Sequence, residues 1–322
     1  MNIREICKGA DRIGISGHVR PDGDCVGSCL GLFLYLKKLF PKKEVKVFLE
    51  EPAHIFSCIK GFDNIVILGE ETPAEAPFDV FFAMDSRMDR LGAAEALFKE
   101  AKKTVNIDHH ISNARGCGDH NYIFPEASST SELVYELVEE EMLDADIAAA
   151  LYIGIVHDTG VFRYSCTAPK TLMAAAKLIG TGIDFPRLVE ETFFEKTYVQ
   201  NQIMGRALLE SILIMDGRCV VSHIDKRTMD FYQVTSKDME GIVSQIKLTK
   251  GTDCAVFMYE VKSLEYKVSL RTTEKVNAAR VAELFGGGGH ARAAGCMMNG
   301  TFHDVINNLT VHIEEQLEDG RA

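Results

Sequence analysis

The chain has 322 residues, of which 46% are hydrophobic and 25% charged, a balance that excludes a disordered or low-complexity protein and predicts two domains. The formal net charge is −12, with about −10 over residues 1–210 and −2 over 211–322, so the basic footprint of a protein that tracks long nucleic acid is missing. Nine cysteines form no CxxC pair and no charged-then-apolar leader opens the chain, which together predict a reducing, cytoplasmic setting.

In chain order, the first half alternates strand-like and helix-like segments. "RIGIS", "EVKVFL", "NIVIL", "FDVFFAMD" and "KTVNID" read as short buried strands rich in Val, Ile and Phe. Helical patterns such as "CVGSCLGLFLYLKKLF" lie between most of them, the signature of an α/β parallel sheet covered by helices. From Ala127 to about Arg206 the pattern turns helical, with "SSTSELVYELVEEEML" opening on N-cap residues followed by Glu132. The apolar run "ADIAAALYIGIV" is too short to span a bilayer and runs into His157 and Asp158, so no membrane segment is expected.

"EKTYVQNQIMGRALLE" reads as a helix joining two units. The expected division is a first α/β domain over residues 1–196, a linker helix over 197–210 and a smaller α+β domain over 211–322. The second domain opens on a hairpin, "SILIMDGRCVVSHID", turning at Asp216-Gly217. Strands follow at "DCAVFMYEV" and "EYKVSLRTT", and a helix through "NAARVAELF" leads into a glycine run expected to form a shaped loop.

Four acidic or histidine clusters stand where a strand or buried helix ends: His18/Asp22/Asp24, Asp85, Asp108-His109-His110 and Asp158. Each alone has a plain explanation. Asp-Gly-Asp is usually a solvated turn, and an Asp at a strand end is usually a cap. Taken together, such groups converging on one edge of a parallel sheet would repel one another unless cations sit between them. Carboxylates and imidazoles without thiolates suit Mn²⁺ or Mg²⁺, with Co²⁺ or Zn²⁺ admitted by affinity. Two such ions about 3.5–4 Å apart are the usual means of polarising a phosphoryl group and activating water.

"HVRPDGD", "MDS", "DHH" and "HDTG", in this order, resemble the four motifs of the DHH phosphoesterase superfamily. "GGGGHARAAG" resembles the signature of that superfamily's C-terminal associated domain. The resemblance implies two Mn²⁺ ions (Mg²⁺ or Co²⁺ as substitutes), one held by His18, Asp22 and Asp85 and the other by Asp24, Asp85, His109 and Asp158. It gives Asp85 the bridging place, Asp108 a supporting one and His110 a place facing the substrate phosphate, so that Asp85, Asp108 and His110 form the catalytic set. Arg271, Asn277, Gly287, Gly288, Gly289 and His290 are implied to hold the terminal phosphate or nucleotide, the glycines by letting amides approach an anion closely.

Superfamily members of this build hydrolyse nanoRNA, very short oligonucleotides, to nucleoside 5′-monophosphates, and several dephosphorylate 3′-phosphoadenosine 5′-phosphate to AMP. That is the function the resemblance implies, with residues 1–196 as the catalytic domain, residues 211–322 as the substrate-binding domain, the active site in the cleft between them, short single-stranded oligonucleotides or small nucleotides as partners and a homodimer left open. The alternatives are a cyclic di-AMP or linear dinucleotide phosphodiesterase and, in another class, a catalytically inactive nucleotide-binding sensor. All six metal-ligand positions of the motifs are intact, which argues against the sensor.

Overall fold

A computed structural model describes residues 1–70 and 75–319. The chain divides into two compact units, Met1–Glu195 and Lys196–Ala322.

In the first unit a short helix α1 (Ile3–Cys7) precedes six strands: β1 (Arg12–Ser16), β2 (Glu44–Leu49), β3 (Ile65–Ile67), β4 (Val80–Met84), β5 (Thr104–Asp108) and β6 (His120–Ile123). All pair parallel, in the order β3-β2-β1-β4-β5-β6. Both faces of the sheet are covered, which is why β4 is a continuous apolar run with every residue buried. One face carries a cluster around Phe48, Phe78, Phe81 and Phe98, next to α3 (Glu95–Glu100). The other packs against α2 (Gly23–Leu39), α4 (Thr130–Leu137), α5 (Ala145–Asp158) and α6 (Pro169–Ile179), with the short α7 (Phe185–Val189) beyond.

The helices α2 and α5 are apolar on most sides because each is buried among other elements. They touch backbone to backbone. A Cβ on Gly27 of α2 would lie 2.6 Å from the Ala150 carbonyl oxygen and 2.9 Å from the Gly154 nitrogen of α5. This close approach brings the first turn of α2, carrying Asp24, alongside the last turn of α5, which ends at Asp158.

The second unit begins with α8 (Tyr198–Leu209), which buries Ile203 and Ala207 in that unit's own core beside Val220, Ile224 and Phe257. Its sheet comprises β7 (Ile212–Ile214), β8 (Cys219–Ile224), β9 (Cys254–Lys262), β10 (Glu265–Thr272), β11 (Gly288–His290) and β12 (Ala293–Asn299). The order is β11-β12-β10-β9-β8-β7, antiparallel throughout except for the parallel pair β8–β9. Helices α9 (Lys226–Tyr232), α10 (Ile242–Lys247), α11 (Ala278–Glu283) and α12 (Phe302–Asp319) complete it. The expected hairpin is present, with left-handed Met215, Asp216 and Gly217 at its turn. The expected glycine loop is not purely a loop. Gly288–His290 form an edge strand, because Gly287 and Gly289 let the chain lie against β12 so closely that a Cβ on either would reach a β12 carbonyl oxygen, at 2.2 and 2.5 Å.

Among the described residues no helix is long and apolar enough to cross a membrane. The helix contact yields a first prediction. Gly27→Ala overpacks the α2–α5 interface and lowers the free energy of unfolding by about 1–3 kcal/mol, read as an earlier transition in urea.

Candidate metal centre

The strand order of the first unit reverses between β1 and β4, and in such sheets ligands bind beyond the carboxyl ends of the strands at that point. His18 follows β1 by two residues, Asp85 directly follows β4, and Asp108 ends β5 with His109 and His110 next in sequence. Asp22 and Asp24 sit at the start of α2 and Asp158 at the end of α5. The Asp-Gly-Asp stretch is not a solvated turn: it opens α2 with Asp24 fully buried, and Asp22 Oδ1 caps the helix by accepting from the Asp24 and Cys25 N–H groups, both at 3.1 Å.

The chain brings the six expected ligands together. His18 Nε2 lies 3.6 Å from Asp22 Oδ1 and 3.5 Å from Asp85 Oδ2. His109 Nε2 lies 3.0 Å from Asp158 Oδ2, 3.5 Å from Asp85 Oδ1 and 4.0 Å from Asp24 Oδ2. The two oxygens of Asp85 thus face two groups, one with His18 and Asp22 and the other with His109. Ligand atoms of His18/Asp22/Asp85, of Asp24/His109/Asp158 and of Asp85/His109/His110 each fall within 4.8 Å of one another. Hard oxygen and imidazole donors at this spacing fit divalent cations.

The imidazoles are aimed by their far nitrogens. His18 Nδ1 lies 2.9 Å from the Val19 carbonyl oxygen and His109 Nδ1 3.3 Å from that of Ala127, which turns both Nε2 atoms into the cluster. Asp108 supports His110 rather than His109. Its Oδ1 accepts from His110 Nδ1 at 2.7 Å and from the His110 N–H at 3.0 Å, while its Oδ2 accepts from Asn113 Nδ2 at 2.7 Å.

Asp85 has φ 51°, left-handed backbone that Asp tolerates better than most residues. The bend is held from below by Asn106, whose Nδ2 donates to the Ala83 and Ser86 carbonyls, both at 3.0 Å. Gly23, between two ligand positions, has the ring of His157 against it; a Cβ there would come within 2.3 Å of that ring.

Charge in the cluster is strongly perturbed. Burial, then the charges of Asp85 and Asp158, raise the Asp24 carboxyl well above its ordinary value. Burial likewise raises Asp85, outweighing the opposing pull of His18. For His18, burial that would lower it is overcome by Asp22 and Asp85, which push it up to about 12. For His109, burial is overcome by Asp158, Asp85 and Asp24, and the value rises to about 10. The hydrogen bond to Asp108 raises His110.

Sequence reasoning missed Asn106, Asn113, Thr130 and Ser131. Thr130 Oγ1 donates to Asp85 Oδ1 at 3.0 Å, and the Thr130 and Ser131 N–H groups donate to Asp24 Oδ2 and Oδ1 at 2.6 and 2.8 Å. The N-cap pattern of "SSTSE" marked the helix start, but nothing in it showed that the helix points at two carboxylates.

In the second unit, Arg271 of β10 and His290 of β11 both stand opposite Ala293 of β12, so the three form one row across the sheet, on one face. Asn277 is beside them through its neighbour, since the Ala278 N–H donates to the Ala291 carbonyl at 2.8 Å. Its own Oδ1 caps α11 by accepting from the Arg280 N–H at 3.2 Å.

Acidic and imidazole side chains gathered at the switch point of a parallel sheet suit a metal-dependent hydrolase. Similarity to known proteins gives the class: the chain is a phosphoesterase and belongs to the DHH family. It matches the DHH family N-terminal domain over residues 12–155 and the DHHA1 domain over residues 216–319. It is 30% identical to the bifunctional oligoribonuclease and PAP phosphatase NrnA of Thermus thermophilus, over 92% of this chain and 88% of that one. It is 26% identical to the cyclic-di-AMP phosphodiesterase GdpP of Geobacillus thermodenitrificans, over 99% of this chain and 50% of that one. An exopolyphosphatase-related protein from Bacteroides fragilis superposes with a TM-score of 0.89 at 25% identity, over 99% of this chain and 96% of that one.

The raised imidazoles give a pH prediction. Their pairing with carboxylates stabilises the fold fully below the ordinary histidine value of 6.5 and loses that effect as the pH rises toward about 10 for His109 and about 12 for His18. A cation taking the same Nε2 atoms must displace their protons, so its affinity should rise by about tenfold per pH unit for each proton released. The thermal midpoint shift produced by Mn²⁺ is expected to grow between about pH 6.5 and about pH 8, as differential scanning fluorimetry would record.

Proposed function

We propose that this chain is a divalent-metal-dependent phosphodiesterase and phosphatase. It hydrolyses oligonucleotides of about two to five units to nucleoside 5′-monophosphates, and 3′-phosphoadenosine 5′-phosphate to AMP. The observation that carries the reading is Asp85, whose two oxygens face two ligand groups at once. His18, Asp22 and Asp85 would hold one Mn²⁺, and Asp24, Asp85, His109 and Asp158 the other. Bound there, the ions supply the Lewis acidity that polarises a phosphoryl oxygen and lowers the pKa of water.

The chain's own groups do the rest. His110, its Nδ1 engaged by Asp108 at 2.7 Å, offers Nε2 to a phosphoryl oxygen and holds it as charge develops. Arg271 and His290, in one row of the second sheet, take the terminal phosphate. Gly288 lets the backbone approach that group. Gly287 and Gly289 are crowded by β12, and Gly289 also has φ 148°, whereas Gly288 has open space where a Cβ would stand and no left-handed φ, so neither packing nor backbone conformation demands a glycine there.

The match to the NrnA relative runs nearly end to end in both chains, whereas this chain spans half of the GdpP relative. That favours short oligonucleotides over cyclic di-AMP as the main substrate.

A panel with Mn²⁺ tests the reading: a dinucleotide, a pentanucleotide, a long single strand, 3′-phosphoadenosine 5′-phosphate, cyclic di-AMP and pyrophosphate. The dinucleotide, pentanucleotide and 3′-phosphoadenosine 5′-phosphate should turn over fastest; preference for the long strand, cyclic di-AMP or pyrophosphate rejects it. Asp85→Ala should bring hydrolysis below detection while the circular dichroism spectrum stays native. Gly288→Ala should fold normally and raise KM by about tenfold, or ~1.4 kcal/mol, with kcat little changed.

A further inference from the structure

The two most deeply buried carboxylates among the six expected ligands, Asp24 and Asp85, come from different elements yet meet one residue. Thr130 donates its N–H to Asp24 Oδ2 at 2.6 Å and its hydroxyl to Asp85 Oδ1 at 3.0 Å. We infer that Thr130 is a positioning residue for the cation pair, fixing the placement of Asp24 relative to Asp85. The inference rests on the metal-dependent reading above.

A carboxylate can swing about its Cβ–Cγ bond, and the direction of its lone pairs swings with it. Asp24 is clamped at both oxygens by consecutive amides, those of Thr130 and Ser131, which leaves its plane no freedom. These amides open α4, where N–H groups have no partner within the helix and the helix end carries partial positive charge, so they favour the ionised carboxylate. The Thr130 hydroxyl is available to Asp85 for a related reason. Inside a helix a threonine hydroxyl turns back to a carbonyl one turn earlier, and at the first helical position that helical carbonyl does not exist.

The support is itself held in place. Ser129 Oγ caps the helix by accepting from the Glu132 N–H at 3.0 Å. The buried Glu132 carboxylate accepts from the Ser128 N–H at 3.2 Å and the Thr171 hydroxyl at 2.7 Å, and Lys170 Nζ lies 3.1 Å from its other oxygen. The start of α4 is therefore tied to the start of α6 and cannot follow a carboxylate that moves.

Three substitutions separate the two donors. Thr130→Ser keeps both, and Thr130→Val keeps the amide and the shape but loses the hydroxyl. Thr130→Pro loses both donors at the helical position where proline is best tolerated, behind a Ser129 that is already extended at φ −167°, ψ 161°. Mn²⁺ affinity and stoichiometry by calorimetry, together with the visible spectrum of the Co²⁺-loaded protein, give readouts independent of turnover.

Thr130→Ser should match wild type. Thr130→Val should weaken one of two Mn²⁺ ions by about 10–100-fold and shift the Co²⁺ bands, and Thr130→Pro should weaken that ion further. Wild-type affinity and spectrum in Thr130→Val and Thr130→Pro overturn the inference alone, and if Thr130→Pro does not fold, Thr130→Val decides. A wild-type protein that binds no Mn²⁺ overturns the functional reading as well.

Discussion

Everything in the first unit is arranged around two carboxylates, Asp24 and Asp85, that have almost no contact with solvent. Burying one such group is costly, and burying two so close together costs more, because each raises the energy of the other's charged form. Imidazoles, helix-end amides and a hydroxyl reach them as donors, while the carboxylates of Asp22 and Asp158 add further negative charge. The fold supplies partial positive charge from several directions and gathers the carboxylates of Asp22, Asp24, Asp85 and Asp158 into groups that could hold cations. Such a cage suits a small, hard, doubly charged ion.

The sheet order explains why the residues of this cage are so far apart in sequence. A parallel sheet that winds outward in both directions from β1 and β4 puts the ends of those two strands side by side, with a crevice above them. One ligand group then comes from each strand end and from each helix terminus nearby. The glycine contact between α2 and α5 brings the helix-borne ligands to the same place as the strand-borne ones. A DHH-family phosphoesterase is thus as much a product of helix packing as of sheet topology.

The parts legible in the sequence were those with a local signature. Buried strands showed as runs of Val, Ile and Phe, and the ligands followed as polar residues breaking those runs at Asp85 and Asp108. What escaped had no local signature. The strand β6, exposed at its start and only half-buried beyond, lacks an apolar run. Asn106 sits inside a buried strand and reads as an oddity until its amide is seen holding the carbonyls around the Asp85 bend. Thr130 looked like a helix-start residue, which it is, and its reach across to two other elements depends on tertiary packing alone. The glycine run reads as a shaped loop, and it is shaped, but nothing local shows that part of it is an edge strand; Gly287 and Gly289 are there because β12 leaves no room for a side chain.

If Arg271 and His290 take a phosphate as proposed, the row they form with Ala293 has a consequence for recognition. The two outer residues are separated by two strand spacings, about 9.5 Å between backbones, with only a methyl group between them. Because hydrogen-bonded strands set that interval, it works as a fixed gauge. A group that bridges the arginine and the histidine must fit the gap as it stands, and anything bulkier than alanine in the middle would close it.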